Sequence, residues 1–249
     1  MGLIGKTNEE KIWNYLYSKI KNEYGVAGLI GNIRAESAFN PLNLQNSYNK
    51  RFGMTDEQYT KAVDNGSYSN FVRDSSGFGI CQWTYWNRKQ NLLNYAKSKG
   101  VSIGDLEMQL DFLVTQELQK NYKGIWNKLI NATSVRQASD VILTEFERPA
   151  DQSESMKATR AKYGQESYDK FAINEETQKY FRVQCGAFSV KANALALEIK
   201  LKQAGFNTTI KQIGILYKVQ LGAFKNKANA ELLLEAVKSK GFDAFLTYC

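Results

Sequence analysis

The C-terminal part of this chain is written twice. Val183-Gln-Cys-Gly-Ala-Phe188 recurs as Val219-Gln-Leu-Gly-Ala-Phe224, Lys191-Ala-Asn-Ala194 as Lys227-Ala-Asn-Ala230, and Gly205-Phe206 as Gly241-Phe242. Every pair is 36 residues apart, and 13 of the 25 positions aligned between 182–206 and 218–242 are identical. Each copy reads as a strand, an amphipathic helix and a Gly-Phe that opens a second strand. Two copies are too few for a solenoid. Two βαβ units within residues 180–249 instead predict a small α/β sandwich of the ferredoxin-like kind.

Strand parity then sorts the side chains. Val183 and Cys185 share one face, as do Val219 and Leu221 in the second copy, and these should pack on the helices. Arg182, Gln184, Lys218 and Gln220 point to the opposite face, joined there by Phe245 from the last strand. That face is polar, basic and rich in amides. Residues 180–249 hold ten Lys/Arg against four Asp/Glu, so they carry +6 of the chain's net +8. Such a surface suits an anionic polymer, a cell wall or a nucleic acid.

The first 172 residues read as mainly helical. Thr7-x-x-Glu10 is a capping box ahead of Ile12, Trp13, Leu16 and Ile20. Gly25 is expected to break that helix, and 26–37 to form a buried one in which Gly25, Gly28 and Gly31 allow close backbone approach. Residues 38–86 lack helical periodicity and are read as loops and short strands, with one short helix at 55–64. Helices follow at 87–99 (ended by Gly100), at 105–120, from the Ser134-x-x-Gln137 cap to Pro149, and at 152–171. The expected layout is a helical domain over 1–172, a linker at 173–179 and the duplicated domain over 180–249, α+β as a whole.

What is missing narrows the chemistry. The 249 residues include no histidine, which removes the imidazole ligands of zinc peptidases and the imidazole base of Ser-His-Asp and Cys-His hydrolases. The three cysteines show neither metal spacing nor a disulfide framework, so no metal or cofactor is expected. No apolar run is long enough to span a membrane, and the N-terminus lacks the pattern of a signal peptide. Hydrolysis by this chain must run on carboxylates.

Glu36 is the leading carboxylate. It closes the apolar run from Val26, just before the turn Ala38-Phe-Asn-Pro41. Burial favours the protonated form of a carboxyl, and a carboxyl protonated near neutral pH can serve as a general acid. Downstream, Asp74-Ser-Ser-Gly-Phe-Gly-Ile-Cys-Gln-Trp83 is a glycine hinge leading into an amide and an indole.

These two segments resemble the active site of the lysozyme-like superfamily. Glu36-Ser37 stands where goose-type lysozymes and lytic transglycosylases carry a catalytic Glu-Ser, and Gly79-Ile-Cys-Gln82 stands at their Gly-Leu-Met-Gln signature. Gly77-Phe-Gly-Ile-Cys-Gln-Trp-Thr84, Arg88 and Phe146-Glu-Arg-Pro149 are similar to the lysozyme domains of phage tails and endolysins. The duplicated region resembles a SPOR domain, a module that binds peptidoglycan glycan strands through its open sheet face, here Arg182, Gln184, Lys218, Gln220 and Phe245.

The resemblance implies a peptidoglycan hydrolase that cuts between N-acetylmuramic acid and N-acetylglucosamine. Glu36 would be the acid and Asp74 would orient or activate the attacking water. Asp74-Ser-Ser-Gly also suits a turn aspartate bonding its own backbone, and Asp56, Glu57 and Asp64 are weaker candidates. Gln82, Trp83, Tyr85 and Gly79 are the expected substrate contacts, with Trp86 beside them, while Glu147 is expected to pair with Arg148 or a neighbour. The expected partner is the glycan strand, with no nucleic acid, no membrane and a monomeric chain. It would be made in a bacterial host's cytoplasm and act at the wall after holin-type release or lysis. The rivals are a lytic transglycosylase, working with one acid to give 1,6-anhydro products, and a non-catalytic wall-binding protein.

Overall fold

The computed structural model describes residues 2–172, 180–224 and 226–248; the expected linker, 173–179, lies outside them. Contacts divide the chain into two compact units, Met1–Ala172 and Ile173–Cys249.

The first unit is built around one buried helix. After α1 (Asn8–Ile20), the backbone turns at Lys21, whose φ of 58° ends the helix, and Asn22 caps α2 (Glu23–Ser37) by accepting from the Gly25 N–H. The break therefore falls four residues before Gly25, which lies inside α2. Val26, Ala27, Leu29, Ile30 and Ile33 are all at most 1% exposed, so α2 is wrapped on every side. Its glycines set how close the wrapping comes. A Cβ on Gly28 would sit 2.4 Å from Ala138 in α8 (Val135–Val141), and one on Gly31 would sit 2.2 Å from the Arg160 carbonyl in α9 (Glu154–Phe171). Gly164 of α9 faces Gly31 in the same seam. This contact fixes the register of α9 on α2.

The stretch after α2 carries the short helix expected at 55–64 and a further one where loops and strands were expected. It contains α3 (Asn46–Phe52) and α4 (Asp56–Asp64), while its only β features among the described residues are the isolated bridges Leu44–Phe78 and Phe78–Trp83. A full capping box, Thr55 with Gln58, starts α4. Next come α5 (Trp86–Lys99), ended by left-handed Gly100, and α6 (Leu106–Asp111), which widens into a π-helix over Phe112–Leu118. After α7 (Lys123–Ile130), α8 likewise runs into a π-helix, Ile142–Glu147. Both π segments lie inside stretches that the sequence presented as ordinary helix. Each ends near a glutamate used at the site described below, in keeping with the association of π-bulges with functional positions.

The second unit runs β1 (Phe181–Phe188), α10 (Lys191–Gln203), β2 (Thr209–Ile213), β3 (Leu216–Phe224), α11 (Lys227–Ser239) and β4 (Phe245–Tyr248). The sheet is antiparallel in the order β2-β3-β1-β4, which is the ferredoxin-like arrangement read from the repeat. Gln184 pairs with Gln220, its own counterpart 36 residues on, so the axis relating the copies passes between these two residues. Val183, Val219 and Leu221 are buried with Ala194, Leu201 and Val237, as parity required. Cys185 packs against the same cluster but stays half-buried, at a register shift in β1.

The amides depart from expectation. Gln184 and Gln220 are 5% and 6% exposed, and their side chains meet at 3.4 Å. They are therefore covered groups, while Arg182 and Lys218 are half-buried and Phe245 is 53% exposed.

Candidate active site

Glu36 lies on the last turn of α2, and two consecutive left-handed residues, Ala38 (φ 49°) and Phe39 (φ 68°), turn the chain away from the helix. Neither is glycine, and such backbone is held only where its surroundings dictate it. Ser37 supplies part of that hold. Its hydroxyl donates to the Ile33 carbonyl at 3.0 Å and reaches the Ile80 carbonyl at 3.1 Å, tying the helix end to the glycine loop. Gln82, also left-handed at φ 45°, donates from Nε2 to the Asn43 and Gly79 carbonyls at 3.0 and 3.2 Å. Asn43 in turn donates to the Glu36 carbonyl at 3.3 Å. An open groove of about 650 Å³ results, lined by Arg34, Glu36, Ser37, Asn40, Asn43, Gln45, Asn46, Ser47 and Gln82 with Ala35 and Ala38. Glu36 and Gln82 share this groove, but the Gln82 amide is spent on backbone carbonyls.

The Glu36 carboxylate accepts from Arg160 Nη2 at 2.5 Å, and its side chain is 21% exposed. Arg160, on α9, is 7% exposed at its side chain. Its Nη1 donates to Glu147 and, at 3.2 Å, to Asn32. The Glu147 side chain is also 7% exposed, and it meets the same guanidinium as Glu36. Burial, and then the neighbouring Glu36 charge, push the Glu147 carboxyl well above the usual carboxylate range, with Arg160 opposing. Neither Arg34 nor Arg148 is the partner of these glutamates. Arg34 pairs with Glu166 at 2.6 Å, and Arg148 donates to the Glu145 carbonyl.

Asp74 lies elsewhere in the unit, and its side chain is only 1% exposed. Oδ1 accepts from Lys89 Nζ at 2.6 Å, the Ser76 N–H at 3.0 Å and the Ser76 hydroxyl at 2.8 Å. Oδ2 accepts from the Tyr59 and Tyr68 hydroxyls at 2.5 and 3.1 Å. Burial pushes this carboxyl up, but Lys89, Tyr59 and the Ser76 N–H together hold it below the usual range. With five donors and no exposed face, it has no room for an attacking water. Lys89 is itself fully buried beneath the ring of Phe71.

Trp83 is 0% exposed, so the indole is core and not a surface for sugar. Its Nε1 donates to Glu117 at 2.9 Å, and Glu117 also takes two donors from Arg88 at 2.6 and 2.9 Å. Gly79 is buried as well; its φ of 76° makes the turn, and a Cβ there would meet Gln109 at 2.8 Å and Trp83 at 3.0 Å. Tyr85 and Trp86 are the exposed aromatics of this segment, at 60% and 51%. Of the weaker carboxylates, Asp56 braces Asn40, Leu44 and Asn49, and Asp64 holds Ser102 and Ile103. Among the described residues no group of three or more His, Cys, Asp or Glu side chains is placed to hold a metal ion, and no helix is long and apolar enough to cross a membrane.

Sequence reasoning missed Arg160, Asn32, Lys89 and Glu117. A signal for Arg160 was present. Gly164, four residues on and so on the same face, sits inside a helix where glycine costs about 1 kcal/mol, which marks that face as a close packing surface.

A buried helix ending in a part-covered glutamate, set against a glycine–glutamine loop across an open groove, has the form of a lysozyme-like domain. The chain belongs to the phage tail lysozyme family, whose model matches residues 7–171, and a SPOR domain model matches 177–248. Over 165 residues the chain is 27% identical to Morphogenesis protein 1 of Bacillus phage B103, a stretch that covers 63% of this chain and 38% of the phage protein. The chain thus spans well under half of that relative. The SPOR region is similar to the peptidoglycan binding domain of the B. subtilis cell wall lytic enzyme CwlC, known as a solution structure. That match is 41% identical, covers 29% of this chain and 92% of the other, and has a TM-score of 0.28.

Proposed function

We propose that the first unit cleaves the β-1,4 bond between N-acetylmuramic acid and N-acetylglucosamine, with Glu36 as general acid, and that the SPOR unit holds the chain on glycan strands. One observation carries this reading. Glu36 is the only carboxylate among the described residues lining the groove, it is part-covered, and it shares the groove with side-chain amides and hydroxyls. It would protonate the glycosidic oxygen of the departing sugar as positive charge builds on the ring that loses it. Tyr85 and Trp86 take over from Trp83 as stacking surfaces, because they are the exposed aromatics.

We assign Asp74 a structural role. An inverting hydrolase places its base about 6.5–9.5 Å from the acid with a water between them, and the sealed Asp74 offers no such face. A groove lined by a single carboxylate favours a second reading, in which the muramyl residue's own hydroxyl attacks and leaves a 1,6-anhydro end. Mass spectrometry of digested, purified walls separates the two. A reducing-end muramic acid means hydrolysis, and an anhydro end means transglycosylation. Release of stem peptides from uncut glycan would overturn both.

On the SPOR unit, Arg182, Lys218 and Phe245 are the groups we expect to meet glycan, with the Gln184–Gln220 pair supporting the sheet between them. Retention on insoluble peptidoglycan, compared with DNA at matched salt, tests this choice of polymer. The same reading has a monomer acting at the wall, reached by holin-type release or host lysis.

A further inference from the structure

Two glutamates share one arginine in this molecule, and only one of them faces the groove. Arg160 splits its guanidinium, with Nη2 on Glu36 at 2.5 Å and Nη1 on Glu147 and Asn32. Neither carboxylate receives the two-pronged grip that neutralises a carboxylate best. Arg160 Nε, also buried, meets no acceptor among the described residues. Both carboxyls thus lie against the two terminal nitrogens of one guanidinium. Two negative charges at that range, in a largely dry place, cannot both be held by one cation, and such a pair keeps a proton between its members.

Among the described residues no second cation is bonded to either carboxylate. From α2 the cluster is faced by Asn32, and from α9 by Arg160. From the glycine loop it is faced by Cys81, whose buried thiol is itself pushed well up. Arg88, beyond Cys81, is taken by Glu117. Arg34 is taken by Glu166 and stacks on Tyr163. Arg148, next to Glu147, turns to the Glu145 carbonyl.

We propose that Glu147 is a positioning residue that keeps one proton between itself and Glu36 across Arg160, so that Glu36 can act as an acid near neutral pH. This rests on Glu36 being the acid. With one proton the cluster of Glu36, Glu147 and Arg160 is neutral. When Glu36 gives that proton to the leaving oxygen, both glutamates are left ionised beside one arginine. The cluster is then poised to take a proton back, from water or from the attacking sugar hydroxyl, which closes the cycle. Glu147 never touches substrate. Its buried carboxyl sets the pH range in which Glu36 holds its proton.

The test is the pH profile of wall lysis by the full chain carrying Glu147→Gln. Removing the second negative charge leaves Arg160 to Glu36 alone, so the proton is lost sooner. The alkaline limb of the profile should move to lower pH by about one unit or more, with activity partly recovered in acid. A structural role alone would scale activity down at every pH and leave the limb where it was, and that result overturns the proposal. If Glu147→Gln is too weak to assay, ¹³C NMR of labelled glutamate carboxyls decides. The wild-type pair should titrate in two linked steps and Glu147→Gln should leave a single one; independent single steps in the wild type overturn the proposal. Should the wild type fail to cut glycan at all, the functional reading falls first, whatever the carboxyls do.

Discussion

Two of the first unit's covered encounters between carboxylate and cation are built on opposite plans. At Asp74 one carboxylate meets one lysine, both side chains are at most 1% exposed, and every lone pair has a donor. At Glu36 two carboxylates meet one arginine, one carboxylate opens to the groove, and the arginine keeps an unused donor. Charge balance makes the first site inert, whereas the second sets two carboxylates against one cation. A fully satisfied buried pair is a structural device, whereas an under-compensated cluster at a groove is what acid–base chemistry requires.

Substitution should separate the two sites. Asp74→Asn leaves Lys89 buried without a counter-charge, and we expect about 3–5 kcal/mol of lost stability by chemical denaturation. The molecules that stay folded should cut walls at close to the wild-type rate. The Asp74 contribution has a defined pH dependence. Its folded carboxyl is held below the ordinary value, so the contribution is present near neutrality and disappears as pH falls through that lowered value. The wild-type protein should therefore lose stability in acid more steeply than Asp74→Asn does.

Trp83→Phe removes the Nε1 bond to the Glu117 carboxylate, and a loss of about 1.5–3 kcal/mol is expected in the same experiment. Were Trp83 a sugar platform, the effect would fall on substrate affinity instead. The smallest effect is expected in the second unit. Phe245→Ala removes an exposed ring, so retention on insoluble walls should drop only about two- to five-fold, under about 1 kcal/mol, with no change in melting.

The sequence was most legible where a pattern repeats. The 36-residue echo gave the strand and helix order of the second unit, and Gln184 meeting Gln220 is that echo made physical. The glycines of α2 were readable for the same kind of reason, because a helix with Gly25, Gly28 and Gly31 must pack against something close. Residues 38–86 were readable only in part. The helix expected at 55–64 is there as α4, which buries Tyr59 and Val63, but α3 buries no residue and so has no apolar period to show. The π segments were hidden because a one-residue widening leaves local propensity unchanged.

At the site, Glu36 stood out by its setting at the end of an apolar helix. Its partners did not. Arg160 lies 124 residues away on a polar helix, and nothing local announces a contact made by tertiary packing. Asp74 could be read from its neighbours as a base beside a hinge or as a turn aspartate. The Ser76 N–H bond fits the second reading, while Lys89 and Tyr59, which seal it, come from two helices that nothing local announces.

The central claim is that Glu36, and not Asp74, carries the chemistry. Turbidity loss of purified cell walls by the full chain with Glu36→Gln tests it most directly. We expect the rate to fall by about 10²–10⁴ while the far-ultraviolet spectrum and melting stay those of a folded protein. A folded Glu36→Gln chain that clears walls at close to the wild-type rate would contradict the account.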